Sequence, residues 1–322
     1  MMQVLWRFLL PCLLVLFLSM QTVFASEWQV VQLPTKASFL DITFQDEQVQ
    51  HGWLVGTNAT LFETTDGGLT WQERNLNIEG LYRFVSVSFS GDEGWIVGKP
   101  ALLLHTIDGG KSWEKIGLSA KLPGDPQMIH ALGAKSAELA TDLGAIYRTA
   151  DGGKTWKAMV RQAVGALRNL NRSTDGRYIA VSAKGNFYST WEPGQDAWIQ
   201  HNRNSSRRVQ NMGFGTDRIW MLNRGGQIQF SKPNTVEDWE KPDFPKATEG
   251  YGMLDLAYQD DQHLWASGGS SHLIYSEDGG KTWERVEDVR DVGANFYDIH
   301  FFNPDRGFIL CQDGKILVYR RT

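Results

Sequence analysis

Asp66-Gly-Gly-Leu-Thr-Trp71, Asp108-Gly-Gly-Lys-Ser-Trp113, Asp151-Gly-Gly-Lys-Thr-Trp156 and Asp278-Gly-Gly-Lys-Thr-Trp283 are four copies of one phrase, Asp-Gly-Gly-x-Ser/Thr-Trp. Trp198, after Gly194-Gln-Asp196, and Trp239, after Glu237-Asp238, stand between the third and fourth copies, and Trp28 precedes the first. The tryptophans at 28, 71, 113, 156, 198, 239 and 283 are spaced by 43, 42, 43, 42, 41 and 44 residues. A period of this size marks a repeat architecture and decides the fold before any single strand is placed.

A second landmark precedes several of these tryptophans by about 18 residues: Gly52-Trp53, Gly94-Trp95, Ile219-Trp220 and Leu264-Trp265, with Gly307-Phe308 in the matching place of the last unit. Within one unit four short β-prone runs follow each other, as in Phe39–Phe44, Gly52–Gly56, Thr60–Thr65 and Thr70–Asn75, each bounded by Gly, Asp or Asn. Four strands per repeat make a propeller blade. The mature chain shows no convincing 3.6-residue apolar periodicity, so a helical solenoid is excluded.

The ends do not match a whole number of units. The chain finishes with three strands, near Phe296–Phe302, Gly307–Gln312 and Lys315–Arg320, whereas Glu27–Leu33 reads as a fourth strand without its first three. Pairing the two ends completes a blade and removes the open edges of a linear array. The expected fold is all-β, a seven-bladed β-propeller with four antiparallel strands per blade, its last blade closed by the N-terminal strand.

Composition agrees. The 322 residues are 42% hydrophobic and 21% charged, with 33 Gly, 10 Pro and 13 Trp, the balance of a globular protein. Residues 1–25 carry Arg7, an apolar run from Phe8 to Leu18 and a Val23-Phe24-Ala25 end, which reads as a cleaved secretory signal peptide; residues 26–322 are expected to form a single propeller domain. Cleavage removes Cys12 and leaves Cys311 alone, so no intrachain disulfide is expected. Pro11 directly before Cys12 makes a poor lipidation signal.

The aspartates Asp66, Asp108, Asp151 and Asp278 tempt a reading as catalytic acids or calcium ligands. Four copies on separate blades cannot converge on one substrate, so they are read with Trp71, Trp113, Trp156 and Trp283 as structural turns. Glycine supplies the positive φ, the carboxylate accepts turn amides, and the ring packs between blades. The phrase resembles the Asp-box, or BNR repeat, of sialidases and sortilin-type receptors. A secreted Asp-box glycoside hydrolase is therefore the alternative, and Asp41, Asp255 and Asp298 on the inner strands are its candidate carboxylates. A sialidase's N-terminal Arg-Ile-Pro element is missing, the seven histidines show no paired metal spacing, and Cys311 lies in an apolar strand. Catalytic residues, metal and cofactor are each expected to be none.

Formal net charge is −5 and is unevenly placed. Residues 161–232 hold nine Arg and two Lys against Asp175, Glu192, Asp196 and Asp217, a net +7 over blades 4 and 5, where the Asp-box pattern also decays. In an up-and-down blade the turn between strands two and three and the link to the next blade emerge on one rim. Arg161, Arg168, Arg203, Arg207, Arg208 and Arg224, with Lys184, fall on that rim, and Arg172 and Arg177 on the other. Forked guanidinium groups suit carboxylates or phosphates. Export and the acidic remainder disfavour nucleic acid, so the expected partner is an acidic protein segment or anionic headgroups.

The leader, seven blades, Asp-boxes and the arginine-rich blades together resemble the photosystem II assembly/stability factor family of cyanobacteria and plastids; Gly52-Trp-Leu-Val-Gly56 and Gly94-Trp-Ile-Val-Gly98 carry the likeness with the boxes. The resemblance implies a non-enzymatic assembly and repair factor in the thylakoid lumen, peripheral on the membrane and monomeric. It would bind newly made or precursor D1 reaction-centre protein and early assembly intermediates, through a basic patch matched here by the six arginines. Members commonly carry a lipobox cysteine, from which Cys12 departs.

Overall fold

The computed structural model describes residues 27–203 and 206–321, so the leader read over 1–25, Cys12 included, lies outside the described residues. Seven antiparallel sheets follow one another along the chain. Blade 1 runs Phe39–Phe44, Gly52–Gly56, Leu61–Thr64 and Gln72–Glu73, within a residue or two of the runs expected from sequence. Blades 2, 3, 4 and 6 repeat this order, with innermost strands Arg83–Ser90, Pro126–Gly133, Leu167–Arg172 and Met253–Tyr258. The only helical turns among the described residues are two 3₁₀ segments, Lys246–Thr248 and Glu287–Val289.

Blade 7 closes as the ends of the sequence require. Phe296–Asn303, Arg306–Cys311 and Lys315–Arg320 supply three strands, and Trp28–Gln32 pairs with the last of them in the register Trp28↔Tyr319 to Gln32↔Lys315. Blade 5 departs from the pattern: Val209–Phe214, Ile219–Asn223 and Gln227–Phe230 form a three-stranded sheet, and the fourth position is held by two isolated bridges, Ser231↔Trp239 and Ile228↔Asp243. Between those bridges stands Pro242, which has no N–H for a ladder.

The core is divided among the gaps between blades. Phe39, Leu54 and Phe62 of blade 1 meet Phe308, Leu310 and Val318 of blade 7, and each of the other six neighbouring pairs of blades shares a buried cluster of the same kind. The landmark aromatics Trp53, Trp95, Trp220, Trp265 and Phe308 are all buried in these clusters, which is why they recur. Each fully buried ring of this size contributes roughly 2–3 kcal/mol of transfer free energy.

The Asp-boxes hold blade to blade as well as strand to strand. In the blade 1 box, Asp66 Oδ1 accepts the amides of Leu69 and Thr70 at 3.1 and 2.9 Å, Oδ2 accepts the Thr70 hydroxyl at 2.6 Å, and the Trp71 indole donates to Gly68 O at 3.1 Å. The other three boxes repeat the bonds to the Ser/Thr and the indole. The second glycine is where the preceding blade arrives: a Cβ on Gly110 would lie 2.3 Å from Trp53, and one on Gly68 2.5 Å from Phe308. Gly110 also has φ +83°.

Candidate functional site: an arginine face on blades 4 and 5

Two regions gather the candidate residues, the central channel and the rim over blades 4 and 5. In the channel, every innermost strand carries a one-residue bulge near its start, and the residue after it is Asp41, Ser86, Met128, Asn169, Asn211, Asp255 or Asp298 in blade order. A bulge re-aims its side chain, here toward the next blade. Asp41 Oδ2 accepts Val87 N–H at 2.9 Å, Ser86 Oγ accepts Ile129 N–H at 3.3 Å, and Asp255 Oδ2 accepts Ile299 N–H at 3.0 Å. The Asn211 amide donates to Leu254 O and to Asp255 Oδ1, both at 2.9 Å. Asp41 and Asp255 are thus inter-blade acceptors, the structural role their repetition suggests.

Asp298 instead faces His300, with Nε2 3.0 Å from Oδ2. Burial alone would push the His300 pKa down, but Asp298, with Asp41 and Asp255 behind it, pushes it up to about 9. Asp298 sits well below the usual carboxylate range, because His300 outweighs the cost of burial; Asp255 is driven up by burial and then by Asp298. Burial also raises Asp41 to about 6. The Asp-box carboxylates go the other way: the Ser112 hydroxyl and amide bring Asp108 down to about 2, and Thr155 and Thr282 do the same for Asp151 and Asp278.

On the rim, topology puts the links between blades and the second-to-third strand turns on one side, opposite the Asp-boxes. Arg203, Arg207 and Arg208, which follow Ile199–Asn202, each reach one of two such turns. Arg203 Nη1 approaches Gly185 O in the blade 4 turn at 3.5 Å, and Arg207 Nη1 donates to Arg224 O in the blade 5 turn at 3.0 Å. Arg224 N–H in turn donates to Arg208 O at 2.9 Å. Arg168, at the start of the blade 4 inner strand, donates to Ala183 O and to the Gln210 side chain beside the channel mouth. Lys184 is exposed in the same turn as Gly185. Arg203, Arg207, Arg208, Arg224 and Lys184 therefore share one surface, with Arg168 at its inner edge.

Arg161 is placed differently. Its guanidinium pairs with Asp196 and its N–H donates to Asp196 O at 2.8 Å, tying it to the loop where blade 4 has lost its box. Arg172 lies on the other side, its Nε 2.9 Å from the fully buried Glu138, and Arg177 pairs with Asp175 at 2.9 Å. Among the described residues no carboxylate lies within ion-pair distance of Arg168, Arg203, Arg208 or Arg224, whereas Arg161, Arg172, Arg177 and Arg218 of the same stretch all have one. Arginines without a carboxylate of their own, gathered on one surface, mark it as the candidate anion-binding face.

The sequence did not single out Phe244 and Tyr251. Both stand on the link from blade 5 to blade 6, 51% and 45% exposed, and the Arg207 guanidinium lies 5.0 Å from the Phe244 ring centroid. Gly225 and Gly226, at φ +82° and +78°, let this link and the arginine link close onto one turn: a Cβ on Gly225 would lie 2.7 Å from Arg207, and one on Gly226 2.8 Å from Tyr251 O. That Gly-Gly pair beside Arg224 is the signal that could have found them.

The fold and the site define an Asp-box propeller of seven blades, with Asp41 and Asp255 bonding to the following blade and a candidate arginine face on one rim. The family model described as "Photosynthesis system II assembly factor YCF48" matches residues 20–320. The chain belongs to that family of photosystem II assembly factors. It is 60% identical over 294 residues, 91% of this chain and 86% of the other, to the "Photosystem II assembly lipoprotein Ycf48" of Trichormus variabilis. It is 46% identical to the chloroplastic "Photosystem II stability/assembly factor HCF136" of Cyanidioschyzon merolae, over 93% of this chain and 76% of that one. The solved structure "YCF48 bound to D1 peptide" superposes with TM-score 0.90 at 53% identity, covering 93% of this chain and 99% of that one. Virginiamycin B lyase, at 14% identity and TM-score 0.71, shares the fold alone.

Proposed function

We propose that the arginine face binds an acidic segment of the D1 reaction-centre protein, newly made or in precursor form, during early photosystem II assembly and again in repair. The chain acts without catalysis, as a monomer in the thylakoid lumen, peripheral on that side of the membrane. The observation that carries this is the set of arginines around the Arg224 turn, Arg203, Arg208 and Arg224 with Arg168 inward, that lack a carboxylate of their own. A relative solved with a D1 peptide, at 53% identity, supports the choice of partner. Arg207 contributes by holding the turn and the neighbouring ring, and Arg161, already paired with Asp196, contributes least.

The glycoside hydrolase alternative loses its support where Asp41 and Asp255 accept backbone amides of the following blade. Titrating a labelled D1 peptide against Arg208→Gln/Arg224→Gln tests the proposal. The expected result is binding weaker by roughly tenfold or more at low salt, with the thermal unfolding midpoint unchanged. Affinity equal to the parent chain's would overturn it.

A further inference from the structure

Phe244 and Tyr251 belong to none of the seven buried clusters between blades. Each is nevertheless fixed in place. Phe244 lies under the Arg207 guanidinium, and its N–H donates to Asp243 Oδ1 at 2.8 Å. Tyr251 stacks on His272 with centroids 4.8 Å apart and planes 24° apart, while His272 Nε2 meets Ala247 O at 2.6 Å and pins the same link from below. The Gly225-Gly226 turn lies between the two links: a Cβ on Gly225 would meet the Arg207 guanidinium and one on Gly226 the Tyr251 backbone oxygen, while Arg224 beside it is bonded to Arg207 and Arg208. Two half-exposed rings beside the arginine-bearing turn, one of them under a guanidinium, are the mark of a contact surface.

We propose that Phe244 and Tyr251 form an apolar subsite of the arginine face, seating a hydrophobic or aromatic side chain that the partner peptide carries beside its carboxylates. The inference rests on the arginine face binding D1, and it adds what the cations alone cannot supply, a choice among acidic segments. Arginines attract any negatively charged chain at a distance and fade with salt. Exposed rings reward only a segment whose apolar group arrives opposite them, and burying it is insensitive to salt. Arg207 couples the two halves, since one guanidinium both holds the Arg224 turn and covers the Phe244 ring.

The test is titration of a D1 peptide, followed by fluorescence anisotropy across a range of salt, against Phe244→Ala/Tyr251→Ala, Phe244→Leu, and Arg208→Gln/Arg224→Gln. The double alanine variant is expected to bind roughly tenfold more weakly, as removal of a central aromatic contact does, with the slope of log Kd against log salt unchanged. Phe244→Leu should keep most of the affinity, and the arginine variant should lose both affinity and slope. Unchanged affinity for the double alanine variant, with the arginine variant still weakened, would remove the subsite and leave the arginine face standing. If neither variant changes affinity, the face itself is misassigned and the subsite falls with it. Loss of binding to phosphatidylglycerol vesicles, with peptide affinity intact, would assign the rings to lipid and overturn the peptide as their occupant.

Discussion

The second glycine of each Asp-box answers two demands at once, a left-handed backbone and the arrival of an aromatic ring from the blade before. Gly110 has φ +83° and Trp53 2.3 Å from where a Cβ would sit, while Gly109 has φ +71° but only an Asp92 side-chain oxygen 3.3 Å away. Gly110→Ala should therefore cost roughly 2–4 kcal/mol and Gly109→Ala about 1 kcal/mol; urea unfolding of the pair would show it, and equal losses would separate the ring contact from the effect. His300 governs a different observable. Its folded pKa of about 9 stands above the ordinary 6.5, so its contribution is full below pH 6.5 and is lost as pH rises through 9. The parent chain should lose more stability between those values than His300→Gln does; parallel curves would refute the ion pair with Asp298. The box carboxylates of Asp108, Asp151 and Asp278, brought down to about 2, stay ionised at any mildly acid pH and leave no mark in that range. Their role was legible from four copies of Asp-Gly-Gly. The roles of Asp41 and Asp255 were only half so, because the bulge that turns them to the next blade has no signature in residue type.

At the scale of strands, blade 7 is the informative element. Trp28 is 4% exposed and lies edge-on to Trp265 at 5.4 Å and tilted against Tyr319 at 5.3 Å, so the N-terminal strand brings a core residue as well as backbone bonds. Trp28→Ala should destabilise by about 3–5 kcal/mol, more than the loss from Val30→Ala, whose side chain on the same strand is half exposed. Calorimetry that ranked them the other way would contradict the closure. This element was readable from counting alone, since three strands at one end and one at the other sum to a blade. Blade 5 was readable only in part: Trp239 kept the period, but Pro242 reduced the fourth strand to isolated bridges, and no spacing reports a missing N–H.

For the molecule as a whole, the net charge of −5 conceals one surface of the opposite sign. Such a surface steers an acidic partner, and association should slow by tenfold or more between about 20 and 500 mM salt while dissociation changes little. Stopped-flow mixing with a D1 peptide gives both rates, and a salt-indifferent association rate would rule out steering by the arginines. Topology carried the rim assignment from sequence to structure for the arginines of the 203–208 link and for Arg224, because a strand's end fixes which side its turn faces. It did not foresee Arg161 turning to Asp196, since the outer loops of neighbouring blades meet across sequence, not along it. Nor did charge counting point to Phe244 and Tyr251, which carry none.

The pairing of Trp28 with Tyr319 has a consequence in time. The Trp28–Gln32 strand leaves a ribosome or a translocation pore almost 300 residues ahead of its mate, so it must wait, unpaired and with an indole exposed, until Lys315–Arg320 has emerged. Six blades can assemble as they appear, but the circle is completed only once Lys315–Arg320 has been made, and a product stopped before it would keep its clasp open.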